Sequence, residues 1–330
     1  MKAVVLAAAE QPLVLEEVNT PELNANEVLI KIKAAALNRR DYWITIGKYA
    51  GIKYPTILGS DGAGIVTEVG VEVNKDWLGK EVIINPGYDW GSNPSFQGKD
   101  FKILGLPDDG TFAEYVKVNA ECVFPKPSHL TFEQAAALPL AGLTAYRALF
   151  TKGNAKNGDK VLISGVGSGT GTLALQFAVA AGCEVYVTTG NEIKLAKALA
   201  LGAKGGVNYK DSQWSEILLN LSGGFAVIID SALGDGFVNF IDLANPSARI
   251  VFFGGTAGNI PELNGRKIFW KQLQILGTTM GTTEEFGKML AFVNQHKIIP
   301  VIDCILPLAN ANEAIKKMDN STQFGKIVLV

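Results

Sequence analysis

The sequence has little histidine, little cysteine and no excess of basic charge. It holds two histidines and three cysteines in 330 residues, and 30 Lys and Arg stand against 32 Asp and Glu, for a formal net charge of −2. No Lys/Arg-rich segment offers the electrostatic surface that nucleic-acid binding needs. No apolar run approaches the roughly 20 residues of a membrane span, and the first residues favour a β-strand over a signal peptide. We therefore expect neither nucleic acid nor a membrane as a partner.

The three cysteines indicate a reducing environment. Cys122, Cys183 and Cys304 are odd in number, far apart and set in apolar contexts. Such cysteines are typical of buried free thiols rather than of a disulfide framework. With 48% hydrophobic and 19% charged residues, the chain fits a compact enzyme. We expect a cytoplasmic location.

Two patterns of secondary structure divide the chain. Residues 1–120 carry short β-branched segments such as EVLIKIKAAAL and GAGIVTEVG, which predict a β-rich partial barrel with a long surface loop at 85–110. From about residue 123, apolar strands alternate with amphipathic helices, which predicts a doubly wound parallel sheet. The last fifty residues are expected to return to the first domain. The predicted domains are 1–122 with 283–330, and 123–282.

One glycine-rich turn follows a strand and opens a helix. The segment VLISGVGSGTGTLALQ allows close approach of the backbone to a pyrophosphate, whose charge the helix N-terminus meets. The strand–turn–helix–strand context favours dinucleotide binding over a merely tight turn. The expected contacts are Gly165, Gly167, Ser168, Gly169 and Thr170.

The tip of the next strand decides the cofactor. NAD sites usually place Asp or Glu there for the ribose hydroxyls, whereas this strand ends in VTTGN. Small polar groups and a nearby lysine suit a 2′-phosphate, so NADP(H) is expected; Glu192, as a displaced ribose acid, is the alternative. The predicted contacts are Thr189, Gly190, Asn191, Lys194 and Tyr209.

A zinc site is not expected. Zinc is held by Cys, His and carboxylates, and residues 20–120 contain neither Cys nor His. His129 and His296 read as loop or helix-end residues without a functional role. Without a Lewis acid, simple alcohol–ketone exchange is hard to support, whereas quinones and enones are better hydride acceptors.

The chain resembles the medium-chain dehydrogenase/reductase superfamily, and within it the zinc-free quinone oxidoreductase branch. The landmarks are ALNRRDYW, YPTILGSDGAGIVTEVG, LPLAGLTAYRAL, GGVNY, RIVFFGG, GKIVLV and the glycine turn. The resemblance implies a GroES-like catalytic domain, a Rossmann cofactor domain with the cofactor in the cleft between them, and a homodimer. It also places Asn38, Ser60 and Ala141 where zinc-containing relatives carry zinc ligands.

The resemblance further implies site residues. Asn38 would donate to the substrate oxygen or simply fix its loop, and Tyr49 would donate a proton or line the pocket. Trp43, Tyr42 and Arg40 are expected in the substrate pocket, with core or surface roles as alternatives, while Asp61 favours a hydrogen-bonding role. The further cofactor contacts expected are Thr144 at a helix start, Gly254, Gly255, Thr256, Thr279, Met280, Gly281 and Lys326.

Together these features predict hydride transfer from NADPH to a quinone or an activated alkene. A metal-free carbonyl reductase is one alternative. An NADPH-binding structural or adaptor protein is another, and a zinc alcohol dehydrogenase is the least favoured.

Overall fold

A computed structural model describes all 330 residues. Its strands are β1 (Lys2–Leu6), β2 (Val14–Glu17), β3 (Glu27–Ala36), β4 (Thr56–Ile57), β5 (Asp61–Val69), β6 (Glu81–Ile84), β7 (Gly87–Tyr88), β8 (Lys102–Ile103), β9 (Tyr115–Asn119), β10 (Val123–Pro125), β11 (Lys160–Ile163), β12 (Glu184–Thr189), β13 (Gly205–Asn208), β14 (Phe225–Asp230), β15 (Ala244–Phe252), β16 (Gln274–Gly277), β17 (Ile302–Leu306) and β18 (Lys326–Leu329). Its helices are α1 (Arg39–Thr45), α2 (Phe132–Ala136), α3 (Pro139–Tyr146), α4 (Gly169–Ala180), α5 (Glu192–Ala200), α6 (Trp214–Ser222), α7 (Asn239–Leu243), α8 (Gly265–Lys271), α9 (Thr283–His296) and α10 (Ala311–Asp319).

The chain divides into two compact units. The first unit comprises Met1–Ala141 and Gly281–Val330, and the second comprises Gly142–Met280. The sequence placed the first boundary at 122/123, so the structure assigns residues 123–141 to the first unit instead. The physical reason is pairing and packing, because β10 pairs with β6 and α2 contacts β3 and β5. The second boundary differs from the predicted one by two residues.

The first unit is built mainly from β-strands. Its largest sheet has the order β10-β6-β5-β3-β18-β17, with β9 pairing to β3, and a smaller sheet has the order β2-β1-β4. The long strand β3 is central, because β5, β9 and β18 all pair with it in antiparallel fashion. The C-terminal strand β18 thus joins the N-terminal sheet, as the sequence predicted. The loop 85–110 is largely irregular but contains the short pair β7 and β8.

The second unit is a parallel sheet of the order β13-β12-β11-β14-β15-β16. The strand order reverses direction between β11 and β14, and every pairing is parallel. Residues Val161–Ile163 and Val227–Ile229 are buried on both sheet faces, which explains their continuous apolar sequence. The predicted mixed α/β fold with a doubly wound parallel sheet is confirmed.

Other sequence expectations meet the structure differently. All three cysteines are free, but only Cys122 is buried, while Cys183 and Cys304 are half-buried. The expectation of three buried thiols is therefore wrong for two of them, which lie next to the chain surface. No helix combines the length and the apolar character that crossing a bilayer requires.

Candidate active site and cofactor site

Three strand ends of the first unit converge on one polar cluster. Asn38 follows β3, Asp61 opens β5 and Lys326 opens β18. Because β5 and β18 flank β3, with Ala36 paired to both Asp61 and Val328, their termini meet at one edge of the sheet. Sheet register alone therefore brings together residues that are hundreds of positions apart in sequence.

Lys326 connects the other two members of this cluster. Its Nζ donates to Asn38 Oδ1 at 2.7 Å and to Asp61 Oδ2 at 2.9 Å. The side chains of Lys326 and Asp61 are 4% and 0% exposed, so this is a fully desolvated ion pair. The other carboxylate oxygen, Oδ1, accepts the backbone N–H of Leu140 at 2.9 Å. Asp61 thus has the hydrogen-bonding role that the sequence favoured, and its carboxylate compensates the buried ammonium.

The amide of Asn38 is only half satisfied. Its oxygen accepts from Lys326, whereas its Nδ2 is buried and has no hydrogen-bond partner. A buried donor without an acceptor costs free energy unless a ligand or water completes it. The sequence predicted Asn38 as a donor to substrate or as a residue that fixes its loop, and both roles stay predictions; the structure gives this donor no partner within the protein.

Arg40 forms a second buried cation beside this cluster. Its Nη1 donates to Ser60 Oγ at 2.6 Å and to the Leu104 carbonyl at 2.8 Å, and Nη2 reaches the Leu106 carbonyl at 3.4 Å. Its Nε donates to Tyr49 Oη at 3.3 Å. Arg40 therefore anchors the loop 104–106, and the Tyr49 oxygen acts as an acceptor in its bond with Arg40. The substrate-pocket role of Arg40 stays a prediction.

Asp41 fixes the loop that carries Asn38. Its Oδ2 accepts the backbone N–H of Asn38 at 2.7 Å, and its side chain is completely buried. Burial raises the pKa of Asp41 to about 6, against the opposing effect of the Arg40 charge. The carboxyl group is therefore held in a site that favours its neutral form.

The Asp41→Asn variant is expected to remove a pH dependence of stability. Folding raises the pKa of Asp41 to about 6. Between pH 4 and pH 6 the Asp41 carboxyl group therefore binds its proton more tightly in the folded state than in the unfolded state. The protonated Asp41 carboxyl group contributes fully to the free energy of unfolding below the unfolded-state pKa. This contribution, about 3 kcal/mol, is lost as the pH rises through the folded-state pKa. Asparagine keeps the acceptor for the Asn38 N–H but does not ionise.

Urea denaturation at pH 4, 5, 6 and 7 measures this effect. The free energy of unfolding of the wild type is expected to fall relative to that of Asp41→Asn across the series. Other titrating groups, including Asp230, whose pKa is raised by burial, are common to both proteins and cancel. Parallel pH curves for the two proteins would show that Asp41 does not change its ionisation on folding.

The two aromatic residues of α1 are partly accessible to solvent. Tyr42 and Trp43 are half-buried and contact each other, with ring centroids 5.1 Å apart. The Tyr42 hydroxyl hydrogen-bonds to Asp319 of α10, which raises the pKa of Tyr42, and the Arg39 guanidinium lies 5.6 Å from its ring centroid. Tyr42 is therefore held toward α10. A stacking role in the substrate pocket stays a prediction for both residues.

The glycine turn of the second unit has the form that a phosphate cradle needs. Gly165 follows β11 with a φ of +64°, and a Cβ built there would meet nothing within 4 Å. Ser168 caps the twelve-residue helix α4 by accepting the Gly171 N–H at 2.9 Å. Gly167 lies in the turn, and Gly169 and Thr170 form the first turn of the helix. The open space and the aligned N–H groups fit the pyrophosphate of a nicotinamide cofactor.

The tip of β12 carries no acid directed at a ribose. Asn191 is the N-cap of α5, and its Oδ1 accepts from Ile193 N and Lys194 N. A Cβ built on Gly190 would lie 2.6 Å from Tyr209 Oη, so Tyr209 passes directly over this glycine. Glu192, the alternative ribose acid, accepts from Asn208 Nδ2 at 3.0 Å. Gly190, Asn191, Lys194 and Tyr209 are therefore neighbours, and the buried Thr189 ends the strand.

Further predicted cofactor residues lie at the ends of β15 and β16. Gly254, Gly255 and Thr256 follow β15, and Thr279 and Met280 follow β16. A Cβ on Gly254 would lie 2.4 Å from the Ser231 carbonyl oxygen, so glycine is required there. Gly281 and Lys326 belong to the first unit.

The structure corrects one local expectation and adds one residue. Thr144 is buried in the second turn of α3 rather than at the start of a helix, because the helix already begins at Pro139. Asp230, at the end of β14, accepts from the N–H groups of Ala232 and Leu233 at 3.2 and 2.7 Å. The sequence feature that could have identified Asp230 is an acidic residue at the end of the apolar segment AVIID.

Zinc does not fit the residues of this cluster. Asn38, Ser60 and Ala141, at the positions that resemble zinc-ligand positions, are not usual zinc ligands, and no group of three His, Cys, Asp or Glu residues is placed to hold a metal. Two cations already reach these positions, because Lys326 binds Asn38 and Arg40 binds Ser60. A third positive charge there would be repelled.

Comparison with known proteins connects both units to one family. The alcohol dehydrogenase GroES-like domain matches residues 24–128, and the zinc-binding dehydrogenase domain matches residues 169–295. A zinc-type alcohol dehydrogenase-like protein of Leptosphaeria maculans is 36% identical, with 96% of this chain and 94% of that protein covered. A quinone oxidoreductase of Mus musculus is 29% identical, with 95% and 92% covered.

A solved structure extends the same similarity. The crystal structure of an NAD-dependent alcohol dehydrogenase superposes with a TM-score of 0.94 at 36% identity, covering 100% of this chain and 99% of that one. The family binds a nicotinamide cofactor, and the glycine turn on α4 fits it. The chain therefore belongs to the medium-chain dehydrogenase/reductase superfamily of oxidoreductases.

Proposed function

We propose that this oxidoreductase works without zinc and uses NADPH to reduce a quinone or an activated alkene such as an enone. The observation that carries the proposal is the buried, unpartnered Nδ2 of Asn38. It lies in a cluster where a metal would be expected in zinc-containing relatives, but where Lys326 and Arg40 supply the positive charge. Hydrogen-bond donors of this kind suit hydride acceptors, such as quinones and enones, whose developing negative charge needs only modest stabilisation.

In this proposal the chain's own groups handle the charge that develops on the substrate. The bound cofactor supplies the hydride. Asn38 Nδ2 donates to the substrate oxygen and stabilises its growing negative charge as a hydroquinone anion or enolate forms. Tyr49, whose oxygen accepts from Arg40 Nε, donates its hydroxyl proton to the reduced product or positions water to do so.

The preference for NADPH is proposed from the surroundings of β12. Asn191 and Tyr209 offer neutral polar groups, and Lys194 contributes a positive charge one turn into α5. Glu192 bonds to Asn208, so its carboxylate has a partner on β13. The similar solved structure is of an NAD-dependent enzyme, and cofactor specificity of this chain therefore needs its own test.

The test is oxidation of NADPH and of NADH by EDTA-treated protein of verified metal content. The acceptors are ortho-quinones, para-quinones, enones and simple ketones. Turnover of quinones or enones with NADPH preferred supports the proposal. Tight NADPH binding without any turnover would favour a binding protein, and ketone reduction that EDTA abolishes would contradict the zinc-independent reading.

A homodimer through the second unit is part of the proposal. Strand β16 is the outer strand of its sheet, and Phe269 and Trp270 on the preceding helix are 67% and 82% exposed. An open strand edge beside large exposed aromatic groups is typical of a surface that pairs with a second copy.

The Trp270→Glu variant is expected to be monomeric where the wild type is a dimer of twice the 35.2 kDa chain mass. A buried carboxylate at such an interface would have no partner charge. Sedimentation velocity measures the two masses, and Phe96→Glu, at an aromatic that is 59% exposed in the first unit, is the control. Equal masses for the wild type and Trp270→Glu would exclude this interface.

A cytoplasmic location is proposed from the cysteines. All three are free, and an oxidising compartment would favour their pairing or oxidation. Fractionation of cells that express the chain would test this location.

A further inference from the structure

The contact between Lys326 and Asn38 has a consequence for catalysis. We infer that Lys326, held by Asp61, is a positioning residue that orients and polarises the Asn38 amide, so that a side-chain cation performs the electrostatic task of a catalytic metal. This inference rests on the proposed function, because it concerns the hydrogen bond that Asn38 Nδ2 would donate to the substrate oxygen. It also reassigns Lys326, which the sequence placed at the cofactor.

Orientation follows from the hydrogen bonds. An asparagine amide offers one oxygen acceptor and one NH2 donor. Lys326 Nζ has only donors, and at 2.7 Å it selects Oδ1 of Asn38. The NH2 group must then face the opposite way, where it is buried and has no protein partner. A flipped amide would place NH2 against an ammonium group, which provides no acceptor.

Polarisation follows from burial. Lys326 is 4% exposed and Asp61 is 0% exposed, so water does not screen the ammonium charge at the amide oxygen. A cation bonded to the amide oxygen withdraws electron density from the nitrogen and strengthens its N–H groups as donors. As negative charge develops on a substrate oxygen, this strengthened donor stabilises the transition state more than the ground state.

Asp61 determines where this charge stays. One carboxylate oxygen binds Lys326 at 2.9 Å, and the other accepts the Leu140 N–H at 2.9 Å. The ammonium is thereby fixed between β5 and β18 and cannot turn away from Asn38. A purely structural ion pair would leave the donor strength of the Asn38 amide unaffected by Lys326, and this difference can be measured.

The informative variant is the double substitution Lys326→Met with Asp61→Asn. Removing Lys326 alone would leave the Asp61 carboxylate buried and unpaired, which destabilises proteins strongly. The double variant removes both charges, and asparagine at position 61 retains an oxygen acceptor for the Leu140 N–H. Lys326→Arg, which retains a cation, is the conservative variant.

Two readouts separate polarisation from a structural role. The first is kcat measured on two hydride acceptors of different strength. For a weak acceptor such as cyclohexenone we expect the kcat of the double variant to fall about tenfold or more, and for a para-quinone, a stronger acceptor, we expect a smaller fall. The second, independent of turnover, is the infrared C=O stretch of bound 13C-labelled cyclohexenone. We expect the double variant to lose most of the wild-type red shift, and Lys326→Arg to keep it, while the Kd for NADPH stays unchanged.

The outcomes distinguish this inference from the proposed function. Wild-type turnover with an equal loss of kcat on every acceptor and an unchanged carbonyl stretch would overturn the role of Lys326 and leave the proposed function standing. A raised Kd for NADPH with an unchanged stretch would return Lys326 to the cofactor. A wild type that neither binds nor reduces any quinone or enone would overturn both.

Discussion

Replacing Asn38 with alanine is expected to lower kcat for an enone by about 100- to 1,000-fold, the usual effect of deleting one oxyanion-stabilising donor. The Nδ2 of Asn38 is the buried donor without a protein partner, and alanine removes it. Since this donor acts most strongly on the charged transition state, KM should change much less than kcat. Steady-state kinetics with saturating NADPH measures both values.

Two further variants make this result specific. Asn38→Asp keeps the size of the side chain and a partner for Lys326, but it replaces the NH2 group with an oxygen, so kcat should fall as in the alanine variant. Asn220→Ala, an exposed asparagine of α6 in the second unit, should behave as the wild type. Near-wild-type kcat in Asn38→Asp would show that this amide does not act as a donor.

The Asn191→Asp variant is expected to lower the preference for NADPH over NADH by about 100-fold. A carboxylate at this position would repel a 2′-phosphate across a short distance, where a charge pair is worth several kcal/mol, and it could accept from ribose hydroxyls. Asp and Asn are equivalent as N-caps, so the cap that Asn191 provides to Ile193 and Lys194 is retained. The ratio of kcat/KM for the two cofactors measures the change.

A matched control isolates the position of the new charge. Asn220→Asp introduces the same charge elsewhere on the second unit and should leave the cofactor ratio unchanged. An unchanged ratio in Asn191→Asp as well would mean that the 2′-phosphate does not lie at the tip of β12, and the role proposed for Lys194 and Tyr209 would then be contradicted.

Local sequence patterns predicted the parts of the structure that are themselves local. The glycine turn and the alternating strands and helices of the second unit each lie within a short segment, where periodicity and turn chemistry are informative. The scarcity of cysteine and histidine as zinc ligands could also be recognised from the sequence, because it depends only on which residue types are present. The fold class was therefore predictable before any coordinates.

The coupling within the first unit was not predictable in this way. Lys326 is 288 positions from Asn38 and 265 from Asp61, and only the register of β18 on β3 brings them together. Sequence alone assigned Lys326 to the cofactor and treated Asp61 separately. The boundary at residue 141 was missed for the same reason, since the pairing of β10 with β6 is a contact across the fold rather than a local pattern.

The most direct test of the account is transfer of deuterium from NADPD by protein whose metal content has been measured as zero. The acceptor is an enone, and the position of the label in the product is read by mass spectrometry and NMR. We expect deuterium at the β-carbon of the saturated product, at a rate that added zinc does not increase. Label at the carbonyl carbon, or transfer that appears only after zinc is restored, would contradict the account.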